Sequence, residues 1–247
     1  MDEKGIAKNK VIIITVIFMI AGKAGTLSLF YFGILHINNP GINRYPVVGV
    51  DVSAYQGDVD WKVLSSQDIS FAYIKATEGS FHTDRCFSYN WEKASECDIR
   101  TGAYHFFSFE SPGRTQAEHF IKTVSPVENM LPPVIDVEYY GSFHTSADID
   151  VSKVRSELRD MIERLNEAYG MMPVIYVSKE TNETIIGDNF DDCDLWIRSV
   201  YAKIPKEQRW SFWQFSNRHR LKGYEGEERY IDMNVFCGTP EEFMAYP

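Results

Sequence analysis

Cysteine is scarce in this sequence of 247 residues, and its scarcity excludes a disulfide-stapled fold. The four cysteines show no CxxC spacing and are too sparse for a disulfide scaffold: Cys86, Cys97, Cys193 and Cys237. The first two belong to a stretch predicted to be helical, where a rise of 1.5 Å per residue would hold them about 16 Å apart. A disulfide between them would require that helix to break, so we expect isolated thiols.

Motifs for metal binding and for nucleophilic catalysis are also missing. The histidines His82, His105, His119 and His144 are scattered, with no HExxH motif and no repeated Cys/His spacing, so we expect no metal and no other cofactor. A lone histidine such as His105 is more typical of a hydrogen-bonded core position. No GxSxG motif surrounds any serine, which argues against a serine nucleophile.

The chain has no excess of positive charge. It contains 25 Lys and Arg against 35 Asp and Glu, a formal net charge of −10, which argues against nucleic acid as a partner. Binding to an anionic polymer would have to come from a shaped groove, and the 14% aromatic content could line one. With 44% hydrophobic residues the chain can bury one large core, and we expect a monomeric catalytic domain.

The first 37 residues are predicted to be a membrane anchor or a signal segment. Three lysines precede an unbroken apolar run, Val11 to Ile20, and a second apolar run covers Leu27 to Ile37. One helix could span a bilayer if Lys23 were tolerated near its centre, at a cost of about 2.5–3.5 kcal/mol. Cleavage after Ala24 is the alternative. Both interpretations place the rest of the chain outside the cytoplasm, in the cell envelope or secreted.

A short linker, residues 38–46, leads into a domain of residues 47–247 in which apolar runs and helical patterns alternate. Eight strands are predicted: Val47 to Asp51, Phe71 to Lys75, Thr101 to Phe106, Val134 to Glu138, Val174 to Val177, Leu195 to Val200, Ser211 to Phe215 and Tyr230 to Val235. Four helices are predicted: Trp61 to Gln67, Asp84 to Glu96, Gln116 to Val124 and Ser152 to Tyr169. The fold class is therefore α/β, an irregular TIM-like (β/α) barrel of eight strands that is helix-poor in its second half.

One stretch, Leu131 to Glu138, carries a pair of acids. Its two prolines must precede the strand, because proline cannot donate to a ladder. Side chains alternate with period two along a strand, so Asp136 and Glu138 are expected on one face, at the strand's carboxyl end. Barrel enzymes hold their active sites at that end of the strands. The simpler alternative is a solvated strand end.

Polar and aromatic residues also follow the other predicted strands. They should converge on one rim: Asp51, Lys75, Glu78, Tyr104, Tyr176, Trp196, Gln214 and Asp232. Since the first and eighth strands of a closed barrel are neighbours, we expect Asp51 beside Asp232, with Asp136 and Glu138 across the mouth. Crowded acids raise one another's pKa, and a carboxyl so raised can donate a proton near neutral pH. Aromatic walls and paired acids point to cleavage of a glycosidic bond.

Several longer motifs resemble those of glycoside hydrolase family 25, the Chalaropsis-type lysozymes (N-acetylmuramidases). They occur in the family's order from about Val48 to Phe236: Gly49-Val50-Asp51-Val52-Ser53, Tyr55-Gln56-Gly57, Asp60-Trp61, Tyr73 to Gly79, Asp84, Phe87, Asn90, Gly102 to Phe106, Gln116-Ala117, Leu131 to Glu138, Trp213-Gln214-Phe215 and Asp232-Met233-Asn234. The resemblance implies an irregular eight-stranded barrel. It also implies hydrolysis of the β-1,4 bond between N-acetylmuramic acid and N-acetylglucosamine, with peptidoglycan glycan strands as the partner.

The resemblance further implies roles for single residues. Glu138 is expected to be the proton donor, with Asp51, Asp136 and Asp232 as the other catalytic acids. Asp136 could be a nucleophile or could orient the substrate's own acetamide for attack. A substrate-binding role is expected for six residues: Tyr104, Lys75, Glu78, Tyr176, Trp196 and Gln214. A chitinase or other N-acetylhexosaminidase and a non-catalytic glycan-binding barrel are the alternatives. Because no appended wall-binding module follows Asp232, we expect any wall targeting to come from the membrane.

Overall fold

A computed structural model describes residues 3–31, 38–41 and 43–247. The chain divides into two units, residues 1–37 and 38–247. In the first unit the described residues form one helix, α1 (Glu3–Tyr31). The rest of the predicted anchor or signal segment, residues 1–2 and 32–37, lies outside the described residues, as does Ile42 of the predicted linker. Over the described ranges, no helix combines the length and the hydropathy needed to cross a bilayer.

The second unit contains one sheet. Nine strands occur among its described residues: β1 (Val48–Val52), β2 (Phe71–Glu78), β3 (His82–Thr83), β4 (Arg100–Phe106), β5 (Val134–Val137), β6 (Val174–Val177), β7 (Leu195–Arg198), β8 (Phe212–His219) and β9 (Ile231–Phe236). Eight of them close a barrel in the order β1-β9-β8-β7-β6-β5-β4-β2, because β1 also pairs with β2. The two-residue β3 forms a hairpin on β2. The predicted eight-stranded α/β barrel is therefore confirmed.

The direction of β9 is the main irregularity of the barrel. It runs antiparallel to both of its neighbours, β1 and β8, whereas the other barrel neighbours pair in parallel. A parallel pair needs a long crossover connection, and the segment from Arg220 to Tyr230 contains no helix that could serve as one. The chain therefore turns back on itself, and the carboxyl end of β8 lies beside the amino end of β9.

Helices cover the outside of the barrel mainly in its first half. The helices are α2 (Trp61–Ser65), α3 (Phe87–Ser95), α4 (Gly113–Thr123), α5 (Val151–Tyr169), α6 (Lys179–Thr181), which continues into a π-helical turn (Asn182–Ile186), and α7 (Pro240–Met244). A 3₁₀ turn covers Ser146–Asp148. After α5 no helix in the described chain exceeds five residues, in agreement with the predicted helix-poor second half.

Helix α5 shows why the helical spacing of apolar residues was a reliable predictor in this stretch of the chain. Its side chains at helical spacing, among them Leu158 and Leu165, are fully buried against the barrel. The side chain of Asp150 accepts from the Lys153 N–H at the helix start, and Gly170 ends the helix with a φ of 68°.

Several predicted boundaries are wrong by a few residues. The fourth strand ends at Val137, so Glu138 follows β5 rather than closing it, and β7 ends at Arg198 rather than Val200. Strand β8 continues to His219, because the hairpin with β9 extends its pairing through two register shifts. Helix α3 begins at Phe87, which leaves Cys86 at its N-cap. All four cysteines are free thiols.

The barrel interior is filled below the carboxyl rim. Tyr73 and Trp196 pack with ring centroids 4.9 Å apart, and Phe212 contacts both rings. Helix α7, absent from the predicted elements, brings Phe243 against Phe71 with ring centroids 5.5 Å apart. Because aromatic side chains fill this end, a cavity in the barrel axis can open only at the carboxyl ends of the strands.

Candidate active site

A cavity of about 140 Å³ opens at the carboxyl ends of the barrel strands. Its lining contains four carboxyl groups and three aromatic side chains: Asp51, Asp136, Glu138, Asp232, Tyr104, Tyr176, Trp196, Gln214 and Val134. Eight of the ten sequence-predicted site residues are among these; Lys75 and Glu78 are not. Val134 was predicted only as a strand residue. The cavity therefore has the dense acidic lining and aromatic walls expected from the strand ends.

Two of the acids face each other across the β1–β9 pair. Asp51 and Asp232 are register partners, as expected from barrel closure. One amide links them, since Gln214 Nε2 donates to Asp51 Oδ2 and to Asp232 Oδ2, at 3.0 Å in both cases. Tyr176 donates its hydroxyl to Gln214 Oε1 at 3.0 Å, which fixes the orientation of the amide. The two acids and the amide therefore form one connected group.

Asn234 supports this group and was not among the predicted site residues. Its Nδ2 donates to Asp51 Oδ2 at 2.8 Å, and Trp196 Nε1 donates to its Oδ1 at 2.9 Å. Asn234 is fully buried and lies two positions after Asp232 on β9, hence on the same face of the strand. The period of two along the predicted last strand was the signal that could have identified it.

Burial raises the pKa of both acids. For Asp51 the rise is opposed by the hydrogen bonds from Asn234 and Gln214. For Asp232 burial is the largest cause, the nearby charge of Asp51 is the second, and the pKa lies well above its usual range. Since Asp51 accepts two amide donors and Asp232 one, hydrogen bonding favours the ionised form of Asp51 more than that of Asp232.

Asp136 on β5 and Glu138 directly after β5 form the second acidic pair, on the opposite side of the barrel. Asp136 is 8% exposed, and its Oδ1 has no hydrogen-bond partner among the described residues. Burial raises the pKa of Asp136 well above its usual range, and the charge of Glu138 adds to the rise. Burial also raises the pKa of Glu138, with a further rise from Asp51. The pair therefore retains a proton to a higher pH than free carboxyls do.

Arg198, at the end of β7, is a cationic neighbour that the sequence did not reveal as a site residue. Its charge is the main influence that lowers the pKa of Glu138, and it also lowers the pKa values of Asp51 and Asp232. Arg198 lies two positions after Trp196, which lines the cavity, so strand alternation places both on one face. One guanidinium thus partly balances the acids from the β7 side.

Lys75 and Glu78 lie beside the cavity and form an ion pair. Lys75 Nζ is 2.8 Å from Glu78 Oε2 and 5.0 Å from the centroid of the Phe106 ring. The register of β2 against β4 shifts between Lys75 and Thr77, which interrupts the regular alternation of side chains on β2. The pair therefore lies on the rim instead of lining the cavity, although the charge of Lys75 still lowers the pKa of Asp136.

The tyrosines of the cavity are neutral donors. Burial raises the pKa of Tyr104 and of Tyr176 well above their usual range, and the surrounding acids add to both rises. Each therefore keeps its hydroxyl proton at neutral pH. Tyr104 can therefore donate a hydrogen bond to a sugar oxygen, whereas the Tyr176 proton is already donated to Gln214.

His105 occupies the core position expected for it. It is fully buried, with Nδ1 2.7 Å from Thr77 Oγ1 and Nε2 3.0 Å from Gln116 Oε1. Burial lowers its pKa to about 4, so the ring is neutral at physiological pH. Within the described residues, no group of three His, Cys, Asp or Glu side chains has an arrangement that could hold a metal ion.

Comparisons with known proteins agree with this geometry. The family model described as Glycosyl hydrolases family 25 matches residues 50–224. The solved structure of a family 25 glycosyl hydrolase from Bacillus anthracis is 47% identical, with a TM-score of 0.78, over 86% of this chain and 98% of that one. That of the bacterial lysozyme from Streptomyces coelicolor is 31% identical, with a TM-score of 0.72, over 81% and 95% of the two chains.

A curated relative leads to the same family. Lysozyme M1 of Streptomyces globisporus is 31% identical over 210 residues, which cover 81% of this chain and 70% of the relative. The residues that the family model matches, 50–224, include Asp51, Asp136 and Glu138. The chain therefore belongs to glycosyl hydrolase family 25.

Proposed function

We propose that Glu138 and Asp136 perform the chemical step of the reaction that this chain catalyses. Membership of the family makes the chain a glycosidase of the lysozyme type, which hydrolyses peptidoglycan outside the cytoplasm. The observation that carries the proposal is the unpartnered, buried Oδ1 of Asp136 beside a carboxyl whose pKa is raised. A buried carboxylate oxygen without a donor is costly unless a ligand supplies one. The acetamide N–H of a bound N-acetylmuramic acid is a donor of the required kind.

Binding of that N–H decides which acid of the pair keeps the proton. In the free site burial raises the pKa of both Asp136 and Glu138. A hydrogen bond from the substrate to Asp136 Oδ1 stabilises its ionised form and so lowers its pKa, which leaves the shared proton on Glu138. The substrate thereby converts Glu138 into the general acid of the reaction.

Glu138 then donates this proton to the glycosidic oxygen as the bond between that oxygen and the sugar carbon breaks. The acetamide oxygen of the substrate, oriented by Asp136, attacks the same carbon and forms a cyclic intermediate. A water molecule then forms a bond to the sugar carbon as the bond between that carbon and the acetamide oxygen breaks, and the Glu138 carboxylate accepts a proton from this water. The acetamide group is regenerated on the sugar, and the configuration at the sugar carbon is retained. Asp136 acts in this scheme through its charge and its hydrogen bond, without forming a covalent bond.

The group of Asp51, Asp232 and Gln214 lies on the other side of the cavity. We assign it to binding, with the ionised Asp51 stabilising positive charge that develops on the sugar ring and Asp232 donating to a sugar hydroxyl. Tyr104, Tyr176 and Trp196 supply the walls of this part of the cleft. The substrate-binding roles predicted for Lys75 and Glu78 are then limited to contacts at the rim of the cavity. These contacts are made with the leaving sugar or with the next sugar unit along the glycan strand.

One digestion tests the reaction itself. Purified peptidoglycan is incubated with the full chain, and the new reducing-end sugars are reduced and identified. Muramic acid at the new ends is the expected result. Glucosamine would indicate an N-acetylglucosaminidase or chitinase-like specificity instead, and the absence of new ends would indicate a glycan-binding barrel without activity.

We also propose that the amino-terminal segment holds the enzyme at a membrane. Support comes from the lysines at positions 4, 8 and 10 before the apolar run Val11 to Ile20, and from the exposed apolar side chains of α1, such as Ile17 and Phe18. The full chain should sediment with membranes after a high-salt wash, and external protease should reach the catalytic domain. A mature amino terminus at Gly25 would establish a cleaved signal and reject the anchor.

A further inference from the structure

Phe81 has the most exposed large apolar side chain among the described residues, at 89%. Burial of a phenylalanine side chain normally stabilises a fold, and this position gains almost none of that stabilisation. A scattered exposed residue on a mobile loop would need no explanation. Phe81, however, lies at the tip of the β2–β3 hairpin, whose backbone is firmly held.

The hairpin is fixed on both sides of its tip. Glu78 and His82 are register partners, so only three residues form the turn. The Gly79 N–H donates to the Phe106 carbonyl at 3.1 Å, which ties the turn to β4. His119 Nε2 donates to the His82 carbonyl at 3.0 Å, which ties the returning strand to α4. The aromatic ring is thus displayed to solvent by a rigid support.

The register of the sheet locates the hairpin relative to the catalytic acids. Glu78 is the partner of Phe106, and Phe106 is the partner of Asp136, so the three lie at one level of the barrel. With about 4.8 Å between neighbouring strands, β2 is roughly 10 Å from β5 at that level. Phe81 lies beyond Glu78, past the level of Asp136 and on the solvent side of the rim.

A second exposed aromatic ring is connected to the same support. Tyr55, 64% exposed, lies in the loop after β1, the strand next to β2. The Ala54 N–H donates to Asp84 Oδ2 at 2.8 Å, which joins this loop to the segment following β3. The Glu228 N–H donates to the Tyr55 carbonyl at 2.9 Å. Both rings therefore stand on immobilised backbone at the carboxyl ends of adjacent strands.

We propose that Phe81 and Tyr55 form an aromatic platform that binds sugar units of the glycan strand beyond the bond being cleaved. The apolar C–H face of a pyranose ring stacks on an aromatic face, and such contacts need no charge. A neutral stacking surface suits a protein of net charge −10, which cannot attract an anionic polymer over long range. The proposal rests on the proposed lysozyme function and adds a preference for long glycan strands.

The experiment compares two substrates that differ in length. One is polymeric peptidoglycan glycan, and the other is an aryl β-glycoside of a single N-acetylmuramic acid, which occupies the cavity alone. The variants are Phe81→Ala, the aromatic replacement Phe81→Tyr, Tyr55→Ala, and Met244→Ala as a control, because Met244 is 70% exposed on α7, which follows β9 beside the amino ends of β1 and β8, opposite the rim. Melting temperatures verify that all variants are folded.

The platform predicts that Phe81→Ala lowers kcat/KM on the polymer about 2- to 10-fold, mainly through KM, with a far smaller effect on the aryl glycoside. Phe81→Tyr and Met244→Ala should retain the wild-type ratio of the two rates, and Tyr55→Ala should lower it. An unchanged ratio for Phe81→Ala would overturn the platform, as would an equal loss on both substrates. If the wild type cleaved neither substrate, the lysozyme function itself would fail, which separates the two hypotheses.

Discussion

Asp51 and Asp232 are direct partners across the antiparallel β1–β9 pair, and one amide nitrogen, Nε2 of Gln214, lies 3.0 Å from an oxygen of each. The barrel closes at this point, so two acids far apart in the chain become neighbours. Gln214 is itself held by the hydroxyl of Tyr176. The arrangement lets two buried carboxyls share one neutral donor.

Replacing Gln214 should show how much this shared donor contributes to the stability of the fold. Gln214→Leu removes both hydrogen bonds to the acids and leaves the Tyr176 hydroxyl without its acceptor. We expect a loss of about 1–3 kcal/mol in the free energy of unfolding at pH 7, and a smaller loss near pH 4, where protonated acids need the donor less. Denaturant titrations at the two pH values measure the difference. An equal loss at both would show that Gln214 contributes packing rather than hydrogen bonds to charged groups.

Asp232 should reduce the stability of the fold at neutral pH. An unfolded aspartate ionises near pH 4, whereas the folded carboxyl, with its raised pKa, keeps its proton to a higher pH. Stability is therefore lost as the pH rises through the folded pKa, at about 1.4 kcal/mol for each unit of the rise. Asp232→Asn should raise the melting temperature at pH 7 and leave it unchanged below pH 4.

Asp192 provides a control, because its pKa is shifted in the opposite direction to that of Asp232. The hydrogen bonds from Arg159, at 2.7 and 3.1 Å, lower the pKa of Asp192. Its contribution to stability is present above the unfolded pKa and is lost as the pH falls through the folded one. Asp192→Asn should therefore lower the melting temperature at pH 7. Should Asp232→Asn behave in the same way, the assignment of a raised pKa to Asp232 would be wrong.

The convergence of the four acids could be predicted because it depends on few rules. Strand alternation places Asp136 and Glu138 on one face, and closure of the barrel brings Asp51 to Asp232. Neither step requires the positions of individual side chains. The core positions of α5 were predictable for a similar reason, since helical spacing decides which side chains face the barrel.

The remaining features depend on distances that the sequence does not contain. The antiparallel direction of β9 follows from a short connection, while the residue pattern of β9 is that of any buried strand. Arg198 resembles an ordinary cation at a strand end until the barrel brings it near Glu138. The β2 register shift turns Lys75 toward Glu78, and shifts of this kind have no local signature. Helix α7 is an exception, because its capping box of Thr239 and Glu242 is visible in the sequence and could have predicted the helix.

The reaction should not require a metal ion. Asp51 and Asp232 accept from side-chain amides, and no described cluster of His, Cys, Asp and Glu has the arrangement of a metal site. Dialysis against a chelator should leave the rate of peptidoglycan hydrolysis unchanged, and Mg²⁺, Ca²⁺ or Zn²⁺ should not increase it. A rate that falls in chelator and recovers with one of these ions would contradict the proposed carboxyl chemistry.

Glu138→Gln tests the separate roles of Glu138 and Asp136 most directly. The variant keeps the shape of the side chain but has no transferable proton, so turnover of peptidoglycan should fall by about 10² to 10⁴ while glycan binding persists. Asp136→Asn should also be slow, because the acetamide is then no longer oriented by a charge. Both variants are assayed on natural glycan and on an aryl glycoside whose leaving group needs little protonation.

The decisive quantity is the recovery of each variant on the activated substrate. Glu138→Gln should regain most of the wild-type rate there, since the missing proton is no longer needed, whereas Asp136→Asn should stay slow. Equal recovery of the two variants, or a Glu138→Gln enzyme that clears peptidoglycan at nearly the wild-type rate, would show that Glu138 is not the proton donor.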